Sequence, residues 1–262
     1  MENKIVKALC EIKNTKPLVH CITNPISITR CADLILALGA RPIMAEHPKE
    51  TAGITKTAEA LLLNLGNITD ARKKSMLISG RIARKNKIPV VIDVVGISCS
   101  NFRRKYALRL ICASKPAIIK GNYSEIYALY SEKYKSQGVD ADKKLTKEEV
   151  TIAATFLSKK YDAVILASGK EDIVALKNKV SYIRNGTEKF TTVTGTGCML
   201  GAVCACFLSA EEPYYAAVFS CVIFGICGER ATDKNFIQSA IENAGDLYNT
   251  KLNYEVINIE KT

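Results

Sequence analysis

The stretch Ile88-Pro89-Val90-Val91-Ile92-Asp93-Val94-Val95 is apolar at nearly every position and carries one carboxylate near its end. A run rich in β-branched residues, with no polar alternation, makes a strand buried on both faces. Such strands belong to parallel sheets covered by helices on either side. The neighbouring sequence supplies those helices. Thr69 caps a helix running to about residue 86, and residues 101–114 have helical spacing. Further apolar runs at 18–22, 41–45, 60–65, 117–119 and 163–167 read as strands. Between them lie helices that start at Asn24 with Pro25, at about Lys49, at Asn122, and at the Thr146/Glu149 capping box. Gly39 ends the helix that begins at Asn24. Ile5, Ala8, Leu9 and Ile12 mark a first helix, and residues 197 to about 250 read as three more. Residues 174–175, 179–183 and 190–193 read as short antiparallel strands with Asn185-Gly186 as a turn. Residues 131–144 are polar and read as a surface loop. The fold class is therefore α/β, three layers with a mainly parallel central sheet, in one domain spanning 1–262.

Composition narrows the function classes. Hydrophobic residues make up 48% of the 262 positions, enough for a sizeable core. The ten cysteines contain no Cys-x-x-Cys pair, and His20 and His47 are the only histidines, so neither zinc nor a disulfide framework is indicated. Most cysteines sit in apolar runs such as Val203-Cys204-Ala205-Cys206-Phe207, where a thiol behaves as a small hydrophobe in a reducing compartment. No apolar run approaches the ~20 residues of a membrane span. Met1-Glu2-Asn3-Lys4 leads into no signal-peptide block, which places the chain in the cytoplasm and off the membrane. The net charge of +11 comes from lysines and arginines scattered over many helices without interleaved aromatics. That pattern speaks against nucleic acid and suits a soluble surface that attracts a polyanion.

In doubly covered sheets, ligands bind beyond the carboxyl ends of the strands. Thr194-Gly195-Thr196-Gly197-Cys198 opens an apolar helix. Free N–H groups at such an end, with side chains removed by two glycines, form an anion hole suited to a phosphoryl group. A glycine turn that merely lets a helix pack closely has the same sequence. Lys120-Gly121-Asn122-Tyr123-Ser124-Glu125 follows a strand and opens another helix. Asn122 and Glu125 there can hold a hydrated magnesium ion, and Lys120 can face a nucleotide phosphate. Taken alone, these residues are better accounted for as an N-capped helix with an acidic first turn. Asp93 at the end of its strand is a second candidate metal-side carboxylate. Ser168-Gly169 is the weakest of these positions, and His20 reads as structural. No serine, histidine and acid cluster points to a hydrolase.

Asn-x-x-Glu followed much later by Gly-x-Gly at a helix start resembles the ribokinase-like kinases. Five stretches are more narrowly similar to the hydroxyethylthiazole kinases of thiamine salvage. They are residues 17–24 (PLVHCITN), 37–45 (ALGARPIMA), 63–66 (LNLG), 115–122 (KPAIIKGN) and 193–198 (VTGTGC). The resemblance implies a ribokinase-like fold, Mg-ATP, and a homotrimer with active sites between subunits. It places Met44, Gly195 and Asn24 on the thiazole, Lys120, Ser168, Asn122 and Thr194 on ATP, and Asp93 and Glu125 around Mg2+. Cys198, with Gly195 and Gly197, would form the catalytic turn. Cys198 would stand where related kinases carry an aspartate base, its pKa lowered by the helix N-terminus. Two other readings stay open: a kinase for another hydroxymethyl heterocycle of pyrimidine or pyridoxal type, and a non-catalytic nucleotide- or thiazole-binding sensor. Asp93, Asn122, Glu125 and the glycine turn together favour catalysis over sensing.

Overall fold

The computed structural model describes residues 2–134, 145–247 and 259–261. Most of the polar loop expected at 131–144 lies outside the described residues. The strands are Leu18–Ile22 (β1), Arg41–Ile43 (β2), Ala60–Asn64 (β3), Val90–Asp93 (β4), Ile118–Asn122 (β5), Val164–Ser168 (β6), Asp172–Leu176 (β7), Lys179–Ile183 (β8) and Ile259–Lys261 (β9). They form one sheet in the order β2-β1-β3-β4-β5-β6-β7-β8-β9. Pairing is parallel from β2 through β6 and antiparallel from β6 to β9.

Side chains alternate across the parallel strands, and both faces are dry. Leu62, Val91, Ile118 and Val164 face one core. Leu61, Val90, Ile119 and Ile165 face the other. The first core is closed by Glu2–Thr15 (α1), Ile28–Ala37 (α2), Thr196–Leu208 (α8), Pro213–Glu229 (α9) and Phe236–Asp246 (α10). The second lies under Asp70–Asn86 (α4), Asn101–Ser114 (α5), Tyr123–Tyr130 (α6) and Lys147–Tyr161 (α7). Thr51–Thr57 (α3) joins β2 to β3. The Thr69 cap and the Thr146/Glu149 capping box form as the sequence predicts. Helix α9 is buried from Tyr214 through Gly228 except at Tyr215, so its apolarity reflects central packing. Among the described residues no helix is long and apolar enough to cross a membrane.

Some boundaries depart from the sequence reading. The helix begun by Asn24 is a 3-10 turn, Pro25–Ser27, followed by α2. Strand β5 extends to Asn122, so Lys120 lies within the strand. The β7–β8 hairpin turns at Lys177 and Asn178, with Leu176 opposite Lys179. Asn185-Gly186 makes no hairpin: the Gly186 N–H donates to Glu229 Oε1 at 2.6 Å and carries the chain onto α9. Residues 190–193 are not a strand. They lie in and just after the 3-10 turn Glu188–Thr192, whose Phe190 ring stacks on Phe224 at 4.4 Å. Helix-face packing outweighs β propensity there, because α9 presents Gly228 directly beneath the Phe190 ring. Strand β9 has no counterpart in the sequence reading.

Two glycines test this packing. A Cβ on Gly228 would come within 2.4 Å of the Phe190 ring, whereas nothing lies within 4 Å of a Cβ on Gly53 in α3. Gly228→Val is expected to lose about 1–3 kcal/mol in urea unfolding. Gly53→Ala is expected to gain roughly 0.5–1 kcal/mol.

Candidate active site

Three central strands end on a polar row. Asn64 of β3 is directly abreast of Asp93 of β4, which is abreast of Lys120 of β5. All three are buried, and Asp93 is wholly inaccessible. Each is two positions on from Leu62, Val91 or Ile118 and shares that face of the sheet, the one covered by α8. Asn64 Nδ2 donates to Asp93 Oδ2 at 2.9 Å, and Asn64 Oδ1 accepts the Gly66 N–H at 2.8 Å. Lys120 Nζ lies 3.2 and 3.1 Å from the two Asp93 oxygens and 2.8 Å from the carbonyl of Gly197 in α8. Burial pushes Asp93 above its ordinary value, while Lys120 and Asn64 pull the other way. Burial depresses Lys120, but Asp93 and Glu125 outweigh it and raise it. An ammonium in contact with both carboxylate oxygens decides for an ionised pair.

Lys120, which the sequence reading faces toward a nucleotide phosphate, is buried here and turned onto Asp93. Its charge is spent on Asp93 and on the first turn of α8. The glycine turn above it is open. Gly195 has φ +92°, and its Cα faces Ser27, which a Cβ would approach to 3.0 Å. A Cβ on Gly197 would meet only Lys120 Nζ, at 3.2 Å. The start of α8 thus carries no side chain at 195 and 197, is exposed at Gly197 and has a buried cation beneath it, a fitting place for an anion. Thr194 is exposed, and its carbonyl accepts a 2.8 Å bond from Arg30.

Cys198 departs from its expected chemistry. It is buried in the first turn of α8, and burial plus the Asp93 carboxylate raise its pKa despite opposing pulls from Lys120, Ser27 and Asn64. Desolvation overrides the helix dipole, so the group is a thiol at neutral pH.

Asn122 and Glu125 form a reciprocal capping box on α6. Glu125 Oε2 accepts the Asn122 N–H at 2.8 Å and Oε1 accepts the Gly96 N–H at 2.7 Å. Burial and Asp93 raise Glu125 to about 7, against Lys120 and the two backbone bonds. The donor set suits magnesium: two oxygen carboxylates, balanced by a single buried lysine, beside an open anion site. Among the described residues no group of three or more potential ligands encloses a metal. That is ordinary for Mg2+, which keeps its waters and borrows phosphate oxygens. With both Glu125 oxygens already bonded to backbone, contact through water fits better than direct ligation.

Ser168 lies across from Asn122 at the end of β6, its hydroxyl 3.4 Å from the Gly121 carbonyl. Asn24 and Met44 are half-buried at the ends of β1 and β2. The Asn24 amide lies so near Gly66 that a Cβ there would come within 2.6 Å. The structure thus gathers Asn24, Asp93, Lys120, Cys198 and the 195–197 turn around the carboxyl ends of β1, β3, β4 and β5. Asn122, Glu125 and Ser168 stand alongside, at the β5 and β6 ends. Sequence reasoning missed Asn64, Ser27 and Arg103. Arg103 Nη1 donates to the Leu65 carbonyl and, at 3.3 Å, to that of Val95. Only strand register and helix docking bring these three to the site. Asn64 alone left a sequence signal, a polar residue at the end of an apolar run.

This arrangement coincides with a known family. A sequence profile of the Hydroxyethylthiazole kinase family matches residues 9–245. The chain belongs to the hydroxyethylthiazole kinase family. Hydroxyethylthiazole kinase 2 of Clostridium botulinum (strain Hall) is 47% identical over 223 residues, 83% of this chain and 84% of that protein. Hydroxyethylthiazole kinase of the Eklund 17B strain is 38% identical over 237 residues, 89% of this chain and 85% of that protein. The solved structure of a hydroxyethylthiazole kinase protein from Pyrococcus horikoshii OT3 matches with a TM-score of 0.87 at 28% identity, covering 99% of each chain. A pyridoxal kinase from Staphylococcus aureus shares the fold alone, with a TM-score of 0.65 at 13% identity over 94% of this chain and 98% of that one. The fold is ribokinase-like, as the sequence resemblance implied.

Two outcomes follow from the charges at this hydroxyethylthiazole kinase family site. Lys120→Ala leaves Asp93 buried without a counter-ion and is expected to cost about 3–5 kcal/mol in urea unfolding. Glu125 binds its proton more tightly folded, at about 7, than at its ordinary value of 4.5. Folding therefore takes up a proton between those values, and the group's contribution to stability falls as pH rises through that window. The stability of the parent relative to Glu125→Gln is expected to increase as pH is lowered from 8 to 5, read from urea midpoints.

Proposed function

We infer that this chain is a hydroxyethylthiazole kinase. It transfers the γ-phosphoryl group of ATP to the hydroxyl of hydroxyethyl-methylthiazole, giving the thiazole phosphate of thiamine salvage. The observation that carries the reading is the open glycine turn of α8, seated on the buried Lys120–Asp93 pair, in a chain of this family. We take residues 1–262 as one kinase domain, in keeping with the single continuous sheet.

In this reading the acceptor lies against Asn24, Met44 and Gly195. The nucleotide runs past Thr194, Lys120, Asn122 and Ser168. The acceptor oxygen forms its bond to phosphorus as the bond to the ADP oxygen breaks; ADP leaves with the electron pair, and the hydroxyl proton passes to an oxygen of the transferred phosphoryl group as transfer completes. Such transfers depend on positioning and charge stabilisation more than on bases. The first N–H groups of α8 meet the developing charge, and the Lys120 field supports them from below. Lys120 also fixes the turn by its bond to the Gly197 carbonyl. Cys198, kept as a thiol, lines the reacting hydroxyl without removing its proton in advance. Mg2+ would be held by Asp93 and Glu125 through its water shell and would neutralise phosphate charge.

A homotrimer with sites between subunits is part of the proposal. Its support in this chain is Ile26, 61% exposed two residues from Asn24, with Leu36 also exposed on α2. Cytoplasmic location is supported by ten free cysteines.

The test is phosphoryl transfer from Mg-ATP across a panel containing hydroxyethylthiazole, a pyrimidine alcohol and pyridoxal. Thiazole phosphate is the expected main product. A pyrimidine or pyridoxal phosphate instead would reassign the acceptor, and binding without turnover would make the protein a sensor. Gly197→Val places a branched side chain against Lys120 Nζ and over the turn. It is expected to lower kcat by about 10²-fold or more. Cys198→Ala is expected to lower kcat by less than about 10²-fold, the lower bound for an effective general base. Both are read at saturating substrates with folding checked by circular dichroism.

A further inference from the structure

His20 is a buried titratable group that the transfer chemistry does not use. It lies in β1 beside Ile43 of β2 and has no exposed surface. Its Nε2 is 2.8 Å from the carbonyl of Ala45, which can only accept, so Nε2 carries the hydrogen. Its Nδ1 then accepts from the Thr55 hydroxyl, 3.0 Å away in α3. Burial lowers the pKa of His20, against the Ala45 bond and Glu50, consistent with a neutral ring. The bond ends one residue beyond Met44.

The next residue is gripped from the other side. The Glu46 carbonyl lies 2.6 Å from the Ser75 hydroxyl of α4. That hydroxyl shares its hydrogen with the Ala71 carbonyl at 2.9 Å. The Glu46 carboxylate accepts from Arg72 Nε at 2.7 Å and lies 2.6 Å from Nη2. Arg72 is buried, and its third contact is Nη1 to the Asn67 carbonyl at 3.1 Å. One guanidinium thus ties the Met44–Glu46 loop to the Gly66–Asn67 loop, and Gly66 is the residue against which Asn24 packs. A planar fork with fixed donors suits this three-point role, which a lysine cannot reproduce. Arg72 is buried while Glu46 is partly exposed, so solvent screens one side of the pair. Its value is in fixing two loops at one separation.

We infer that His20, Arg72 and Ser75 are positioning residues that hold the Met44 and Gly66 loops at the spacing the acceptor requires, and so set acceptor affinity and selectivity. This rests on the proposed contact of Met44 and Asn24 with the thiazole. None of the bonds named for His20, Arg72 and Ser75 reaches the α8 turn or the Lys120–Asp93 pair, and the Gly66 loop meets Asp93 only by way of Asn64, so the bracket should act chiefly on the acceptor and little on the nucleotide.

Arg72→Lys, Ser75→Ala, His20→Ala and His20→Gln separate this role from a general contribution to folding. His20→Gln retains a donor that can reach the Ala45 carbonyl. Expected for Arg72→Lys and His20→Ala is a rise of about tenfold or more in KM for hydroxyethylthiazole, with KM for ATP and kcat at saturating acceptor within about twofold. His20→Gln should recover most of the loss, and Ser75→Ala should show a smaller rise of the same kind. Amide hydrogen exchange at 44–47 and 66–67 should quicken in Arg72→Lys while the first turn of α8 is unchanged. Folded variants with unaltered acceptor KM, or with both KM values raised equally, would overturn the inference. If the parent enzyme does not phosphorylate the thiazole, the functional reading fails by itself. The exchange measurement then decides the bracket: quickening confined to the two loops supports it, and no quickening rejects it.

Discussion

A buried ammonium held between a carboxylate and a helix is the constraint on which the rest of the site depends. Lys120 and Asp93 stand on adjacent parallel strands, and neither has water to replace the other. Desolvating two charges is costly, and the pair persists because hydrogen bonds complete it. Asn64 supplies one to Asp93, and the Gly197 carbonyl takes one from Lys120. The second of these bonds crosses from sheet to helix. It sets where α8 begins, and so where the backbone N–H groups of the glycine turn stand.

That geometry divides the labour between side chains and backbone. The ionised pair lies under the turn and contributes a field, while the turn itself offers donors with no Cβ in the way. Gly201, one turn further along α8, would put a Cβ 3.4 Å from Asp93 Oδ2, so the helix rides close on the polar row. A small residue there is a packing requirement of the same contact. Glu125 completes the local balance. Its oxygens hold the Gly96 and Asn122 N–H groups, which join the β4–α5 loop to the start of α6. The carboxylates and the lone lysine leave a site poorly compensated in isolation. Phosphate with a divalent cation would relieve it.

Cys198 shows how local and global electrostatics part ways. A cysteine in a first helical turn reads as an activated thiol. Here the same helix is buried on the face of the sheet, and an ionised aspartate lies close by. Removing water from a thiolate costs more than the dipole returns, so the thiol stays protonated. A kinase tolerates this because metaphosphate-like transfer asks little of a base.

The sequence by itself determined the layered α/β class, most of the strands, the caps at Thr69 and Thr146, and the family. Unbroken apolar runs and capping residues are local signals, and local chain energetics suffice to write them. It also marked Asn24, Asp93, Lys120, Asn122, Glu125 and the 195–197 turn, because chemistry in such sheets gathers at strand ends. Tertiary structure alone decided what those residues touch. Lys120 turned inward because parallel register sets it abreast of Asp93, and register is a property of two strands. Residues 190–192 became part of a 3-10 turn because Phe190 found Phe224 on a helix more than thirty residues away. His20, Asn64, Arg72 and Arg103 took their roles chiefly from partners 25 to 38 positions distant, such as Ala45 for His20 and Leu65 for Arg103. Hydrogen bonds between distant segments leave no period or spacing in the chain, so only the folded arrangement could reveal them.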